Sequence, residues 1–188
     1  FHKVSGIPEN QIIGSGTILD TSRLQSTLAK RFNVSPKNVH AHVYGEHGDS
    51  QFVPWSLAHI ANNHVDTYRD HSPDKDLIQW NNDHAEIEEF VKKSGAQIIE
   101  NKGATFYAVA MSVCHICKAI YSDAGTALSI STMMHGEYGV SDVCLSTLAL
   151  VDRTGVRGKI LNPLTEEELE KMRISAEKLR AVIDQVQF

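Results

Sequence analysis

ALSISTMMHGEYGVSDVCLSTLALVDRTGVRGKIL, residues 127–161, holds two long β-rich runs and a shorter third, divided by HGEYG and DRTG. Glycine-bearing breaks of this length between apolar, β-branched runs favour tight reversals, so the segment reads as an antiparallel meander. Just beyond it, Thr165 followed by Glu168 makes a capping box, in which the hydroxyl accepts from an amide of the first helical turn and the carboxylate reaches back. Leu169, Met172, Ala176, Leu179, Ile183 and Val186 then share one face of a helix predicted to end at Phe188.

On the N-terminal side of the meander, Phe106, Val109, Val113, Ile116 and Ile120 give ATFYAVAMSVCHICKAIYSD a helical stripe. Gly103 separates it from a helix starting near Asp83, striped by Ile87, Val91 and Ile98 and weakened at Gly95. Residues 62–82 are polar, carry both signs of charge and contain Pro73, the composition of a surface connection. DTSRLQSTLAKRF reads as a helix through Leu24, Leu28 and Phe32, stopped at Asn33. In NVHAHVYGEHGD, Val39, Ala41 and Val43 alternate with His40, His42 and Tyr44, so a strand runs into a turn and sets His47 just past its end. FHKVSG looks like the last turn of a helix cut from a longer chain and stopped by Gly6 and Pro8. The predicted class is α+β, an antiparallel sheet packed with long helices, in one domain over residues 1–188.

The 188 residues are 41% apolar and 22% charged with a net charge of −5, an ordinary globular balance. Clustered lysine and arginine, which phosphate-tracking surfaces need, are lacking, which argues against nucleic acid as a partner. No apolar run approaches the roughly 20 residues that span a bilayer, and the opening residues do not resemble a signal peptide. Cys114, Cys117 and Cys144 lie in apolar stretches and are expected to pack as small hydrophobes in a reducing, cytoplasmic setting.

The most chemically suggestive group is His47 in GEHGD together with Asp20 and Arg23 in LDTSR. Asp20 and Arg23 are three apart on a helix, which suits either an intrahelical ion pair or a cation and a carboxylate presented to a common cavity. An imidazole titrates near neutrality and can exchange a proton with a substrate oxygen, while a nearby carboxylate favours its charged form. Asp20 is the candidate partner. The planar donor fork of Arg23 matches a carboxylate, which points to a small organic acid.

IIGSGTILDTSRLQ, HAHVYGEHGDSQFVPWS and NKGATFYAVA together closely resemble the C-terminal half of the NAD-dependent L-lactate dehydrogenases, and the likeness runs across nearly the whole chain. The resemblance implies a lactate/malate dehydrogenase C-terminal domain-like fold, with residues 1–13 a remnant of the junction to a nucleotide-binding half. It implies that His47 is the proton donor and acceptor, Asp20 its carboxylate partner and Arg23 the clamp on the substrate carboxylate. Thr105 would line the substrate pocket, with Val109 against the nicotinamide. NAD would be the cofactor, a 2-keto or 2-hydroxy acid the substrate, and a homo-oligomer the assembly. The activity implied is L-lactate/pyruvate interconversion in glycolysis and carboxylic acid metabolism.

The same family has a dinucleotide-binding half and a mobile loop with a second arginine, and neither is recognisable in these residues. The fingerprint G-x-G-x-x-G fails because Leu19 stands where the third glycine would follow Gly14 and Gly16. The 188 residues alone are therefore expected to have little or no dehydrogenase activity. Many bacterial lactate dehydrogenases respond to fructose 1,6-bisphosphate through a basic residue two places after the clamp arginine and a histidine on the following strand. Gln25 and His40 occupy those places, and a neutral amide cannot offset phosphate, so strong activation is not expected. Glu46 points to the lactate branch rather than the GGHGD of the malate enzymes. L-2-hydroxyisocaproate dehydrogenase remains the main rival within the class, and malate dehydrogenase the other alternative.

Two readings from other classes compete. His40, His42 and the CHIC of Cys114 and Cys117 suggest metal hydrolysis, but CHIC has no matching second pair, and no metal ligand set is predicted. The alternative is a non-catalytic oligomerising or interaction domain, favoured if an apolar face lies uncovered.

Overall fold

The computed structural model describes residues 2–68 and 84–186. The meander is present as β4 (Thr126–His135), β5 (Ser141–Asp152) and β6 (Gly155–Lys159), paired antiparallel in that order. Thr126 faces Val151 and Met133 faces Cys144, with an irregularity before His135 meets Ser141 at the turn. From Leu145 to Asp152 nearly every residue of β5 is buried, so the expected in–out alternation of an antiparallel strand is lost. Helices account for this, since a strand packed on both faces has little reason to alternate.

Preceding the sheet are α1 (His2–Ser5), α2 (Ile18–Phe32), the short strands β1 (Val39–His40), β2 (His59–Ile60) and β3 (Asn63–His64), and helices α3 (His84–Lys102) and α4 (Tyr107–Ser122). Helix α5 (Glu166–Ile183) follows it. Met172 and Ala176 of α5 pack with Met134, Val143, Leu145 and Leu148. Ile18 of α2 and Ile116 and Ala119 of α4 pack with Leu128, Ile130, Ala149 and Val151. A third cluster joins Leu24, Leu28 and Phe32 of α2 to Val39, Ala41 and Val43 and to Ile87 and Val91 of α3. The α+β class and the principal helices match the sequence expectation.

Several local expectations need correction. The strand through 39–43 keeps its alternating burial, but only Val39 and His40 pair with a neighbouring strand. Helix α4 buries Ser112, Ile116 and Ala119, whereas Phe106, Val109 and Val113 are exposed. Because α4 is apolar on nearly all sides, periodicity could not select its packed face, and the small Ser112 and Ala119 permit the closest approach. The same orientation leaves Cys114 and Cys117 exposed, and Cys144 is exposed as well, so none is the packed thiol expected. Helix α3 continues through Gly95. Helix α5 has both hydrogen bonds of the capping box, but ends at Ile183 rather than Phe188. Of the expected surface connection, residues 69–82 lie outside the described residues.

No helix among the described residues is long and apolar enough to cross a membrane.

Candidate active site

Helix α2 meets residues 41–43 through side chains rather than through strand pairing. Thr17, Thr21 and Gln25 are four apart and therefore share a helix face. Thr17 Oγ1 donates to the Val43 carbonyl at 2.5 Å, and the Val43 amide donates to Thr21 Oγ1 at 2.9 Å. Gln25 Nε2 donates to the Ala41 carbonyl at 3.1 Å. Backbone groups that a neighbouring strand would otherwise satisfy are thus paired, as buried polar groups require. The ladder fixes the register of α2 against the segment that leads to His47.

Strand β5 ties the same two elements together at a second point. Ser146 Oγ accepts from the Thr17 amide at 3.1 Å, while the Ser146 and Gly45 backbones exchange hydrogen bonds at 2.9 and 3.0 Å. The GSG of residues 14–16 serves this docking. A Cβ on Gly14 would stand 3.0 Å from Ser131 Cβ, and one on Gly16 would collide with Ser146 Oγ. These glycines are spent on close approach to the sheet, not on a phosphate cradle.

With the register set, Asp20 and Arg23 project toward the loop after Gly45. Asp20 is buried, and its two oxygens face different partners: Arg23 Nη1 lies 3.0 Å from Oδ1, and His47 Nδ1 lies 2.7 Å from Oδ2. The intrahelical pair and the convergent site are therefore the same arrangement, which spacing alone could not distinguish. Among the described residues Arg23 makes no other side-chain hydrogen bond, so the rest of its donor fork is uncommitted. The His47 pKa is raised above the usual imidazole value, chiefly by its short contact with the Asp20 carboxylate. Partial burial and the charge of Arg23 oppose that shift, and the amide of Gln51 reinforces it. Sequence reasoning missed Gln51, a buried polar side chain four residues after His47.

The remaining predicted residues sit apart from this triad. Thr105 is half-buried in the link between α3 and α4, and Val109 is exposed on α4. Neither shares a hydrogen bond or ion pair with the triad among the described residues. Beside Val109, the helices α2 and α4 enclose a mostly apolar cleft of about 330 Å³ lined by Ile18, Leu19, Ser22, Ala108, Met111, Ser112 and His115. His40 is exposed on β1, and Gln25 is engaged with the Ala41 carbonyl. His42 is held neutral, its pKa lowered to about 4 by burial first and by His40 second. No group of three or more His, Cys, Asp or Glu side chains among the described residues is arranged to hold a metal ion.

The family profile described as lactate/malate dehydrogenase, alpha/beta C-terminal domain, matches residues 17–187. The chain is 44% identical over 183 residues to an L-lactate dehydrogenase of Macrococcus caseolyticus, covering 96% of this chain and 56% of that protein. It is 42% identical over 184 residues to an L-lactate dehydrogenase of Acetivibrio thermocellus, covering 97% of this chain and again 56% of the relative. Among solved structures, L-lactate dehydrogenase from Clostridium thermocellum superposes with a TM-score of 0.88 at 37% identity, covering 100% of this chain and 60% of that one. The minor L-lactate dehydrogenase of Enterococcus mundtii superposes with a TM-score of 0.90 at 34% identity, covering 99% and 58%. The chain thus spans little more than half the length of these relatives.

Proposed function

Because this chain belongs to the lactate/malate dehydrogenase C-terminal domain family, we propose that it carries the substrate clamp and proton relay of an NAD-dependent L-lactate dehydrogenase. The observation that carries this reading is the division of the Asp20 carboxylate between Arg23 and His47 at 3.0 and 2.7 Å. Arg23 pairs its open donors with the carboxylate of a 2-keto acid and fixes the direction of the ketone. Protonated His47 gives its proton to the carbonyl oxygen, and Asp20 stabilises the imidazolium until that transfer. Thr105 borders the reacting carbon.

NADH supplies the hydride that adds to the carbonyl carbon, so that hydride and proton together yield the 2-hydroxy acid. Val109 and the apolar cleft beside it suit a nicotinamide face. The docked GSG leaves the phosphates to a nucleotide-binding half outside these residues, and on its own the 188-residue chain turns over little or nothing. The setting is cytoplasmic.

A second reading of the chain's partners comes from α4, where Tyr107, Met111 and Tyr121 are 75%, 66% and 87% exposed. Apolar surface of this kind favours association, and a homo-oligomer, as in the family, follows from it. Light scattering that finds only monomer at high concentration contradicts that part.

The catalytic part is tested by mixing the chain with a separately produced family nucleotide-binding half. NADH consumption is followed with pyruvate, oxaloacetate and 2-ketoisocaproate. Activity highest with pyruvate and abolished by His47→Asn supports the reading. Activity indifferent to that substitution removes His47 from the mechanism, and a preference for the branched acid reassigns the substrate to the 2-hydroxyisocaproate type.

A further inference from the structure

Ser175 is fully buried in the middle of α5, far in sequence from the loop that carries His47. A serine in a helix interior commonly turns its hydroxyl back on the preceding turn. This one is directed elsewhere. Its Oγ accepts from the Glu46 amide at 2.7 Å and lies 3.2 Å from Ser50 Oγ. Ser50 in turn donates to the Glu46 carboxylate, closing the loop on itself. Gly45 has a φ of +92°, and a Cβ there would stand 2.6 Å from Ser175 Oγ, so the backbone passes this hydroxyl at a distance that only glycine allows.

The loop is thus held on one side by β5, through the Gly45–Ser146 backbone pair, and on the other by α5, through Ser175. His47 follows directly, with a side chain 58% exposed and Asp20 as its ion-pair partner. An exposed imidazole cannot fix its own place. Its position is inherited from the backbone on either side.

We infer that Ser175 is a positioning residue for proton transfer: by anchoring the Glu46 amide to α5 it holds His47 within reach of Asp20. This rests on the Asp20–His47 relay proposed above. Removing the hydroxyl takes the acceptor from a part-buried amide and one partner from Ser50, and the loop then relaxes away from the carboxylate. Asp20, Arg23 and Gln51 are the groups that act on the imidazole, and the first two lie on α2, outside the loop.

The test is an NMR titration of the His47 ring in the 188-residue chain, compared among wild type, Ser175→Ala, Asp20→Asn and Ser94→Ala. Ser94 is another buried helix serine, but it donates to the Phe90 carbonyl of its own helix and serves as the control. Ser175→Ala should move the His47 midpoint down, most of the way to the Asp20→Asn value. It should also speed exchange of the Glu46 amide by about tenfold, as expected for loss of one hydrogen bond. Ser94→Ala should leave the midpoint alone.

An unmoved midpoint in Ser175→Ala overturns the inference whatever the amide does, and so does an equal shift in Ser94→Ala. If Asp20→Asn leaves His47 unmoved, the relay reading fails instead. Should Ser175→Ala not fold, Ser50→Ala reports on the same anchor: a smaller downward shift supports it, and none overturns it.

Discussion

Asp20 Oδ2 lies 2.7 Å from His47 Nδ1, with the acid 2% exposed and the base 58% exposed. This asymmetry has chemical consequences. The charge that favours the imidazolium is shielded from solvent, while the imidazole itself remains accessible. When the ring is protonated, the buried carboxylate has a cation on each oxygen and is better offset than one with a single partner.

The raised His47 pKa sets a sign for stability. The folded state binds this proton more tightly than the unfolded chain does, so the contribution is complete below about pH 6.5 and is lost as pH rises through the higher folded value. Thermal melts of wild type should therefore fall from slightly acidic to alkaline pH more steeply than those of His47→Asn. Parallel profiles for the two proteins would show that the contact does not stabilise the charged ring.

His42 acts in the opposite sense. Its folded pKa is lowered to about 4, and its Nδ1 is buried without a hydrogen-bond partner among the described residues. The unfolded chain takes up this proton first, so stability is full above about pH 6.5 and is lost as pH falls toward 4. His42→Gln should flatten the acid limb of the stability profile. An unchanged acid limb would locate that loss in the carboxylates.

Arg23→Lys keeps the charge but gives up the planar fork. In a complex restored with a nucleotide-binding half, it should lower kcat/KM for pyruvate by about ten- to a hundredfold, the scale of one charged hydrogen bond. A loss of less than twofold would take Arg23 out of the substrate site.

Gly95 continues α3 without a break, and an added Cβ there would have Arg23 Nη1 at 3.8 Å as its nearest neighbour. That is ordinary contact. Gly95→Ala should therefore stabilise the chain by about 0.5–1 kcal/mol through helix propensity, as measured by denaturant unfolding. Destabilisation would mean that α3 and α2 are packed too closely at this point to admit a methyl group.

The meander, the capping box and the helix through Leu24, Leu28 and Phe32 were legible because each rests on a local pattern. So were Asp20 and Arg23 as a helical pair. Their meeting with His47 depends on Thr17, Thr21 and Gln25, whose hydroxyls and amide carry no sequence mark that distinguishes them from solvent-facing polar residues. Ser175 was hidden for the same reason, since its partners lie on a distant loop. On α4 the failure was different: an apolar residue stood at almost every position, and the packed face was decided by the size of Ser112 and Ala119. The exposed positions of Cys114 and Cys117 followed from that choice.

The most direct measurement joins this chain covalently to the part of its Acetivibrio thermocellus relative that lies outside the match and assays NADH oxidation by pyruvate before and after His47→Asn. The relay predicts a working chimaera that loses at least about a hundredfold in kcat with the substitution, the scale of a positioned acid–base group. A chimaera that keeps its rate without the imidazole, or that folds and binds NADH yet reduces no 2-keto acid, would contradict it.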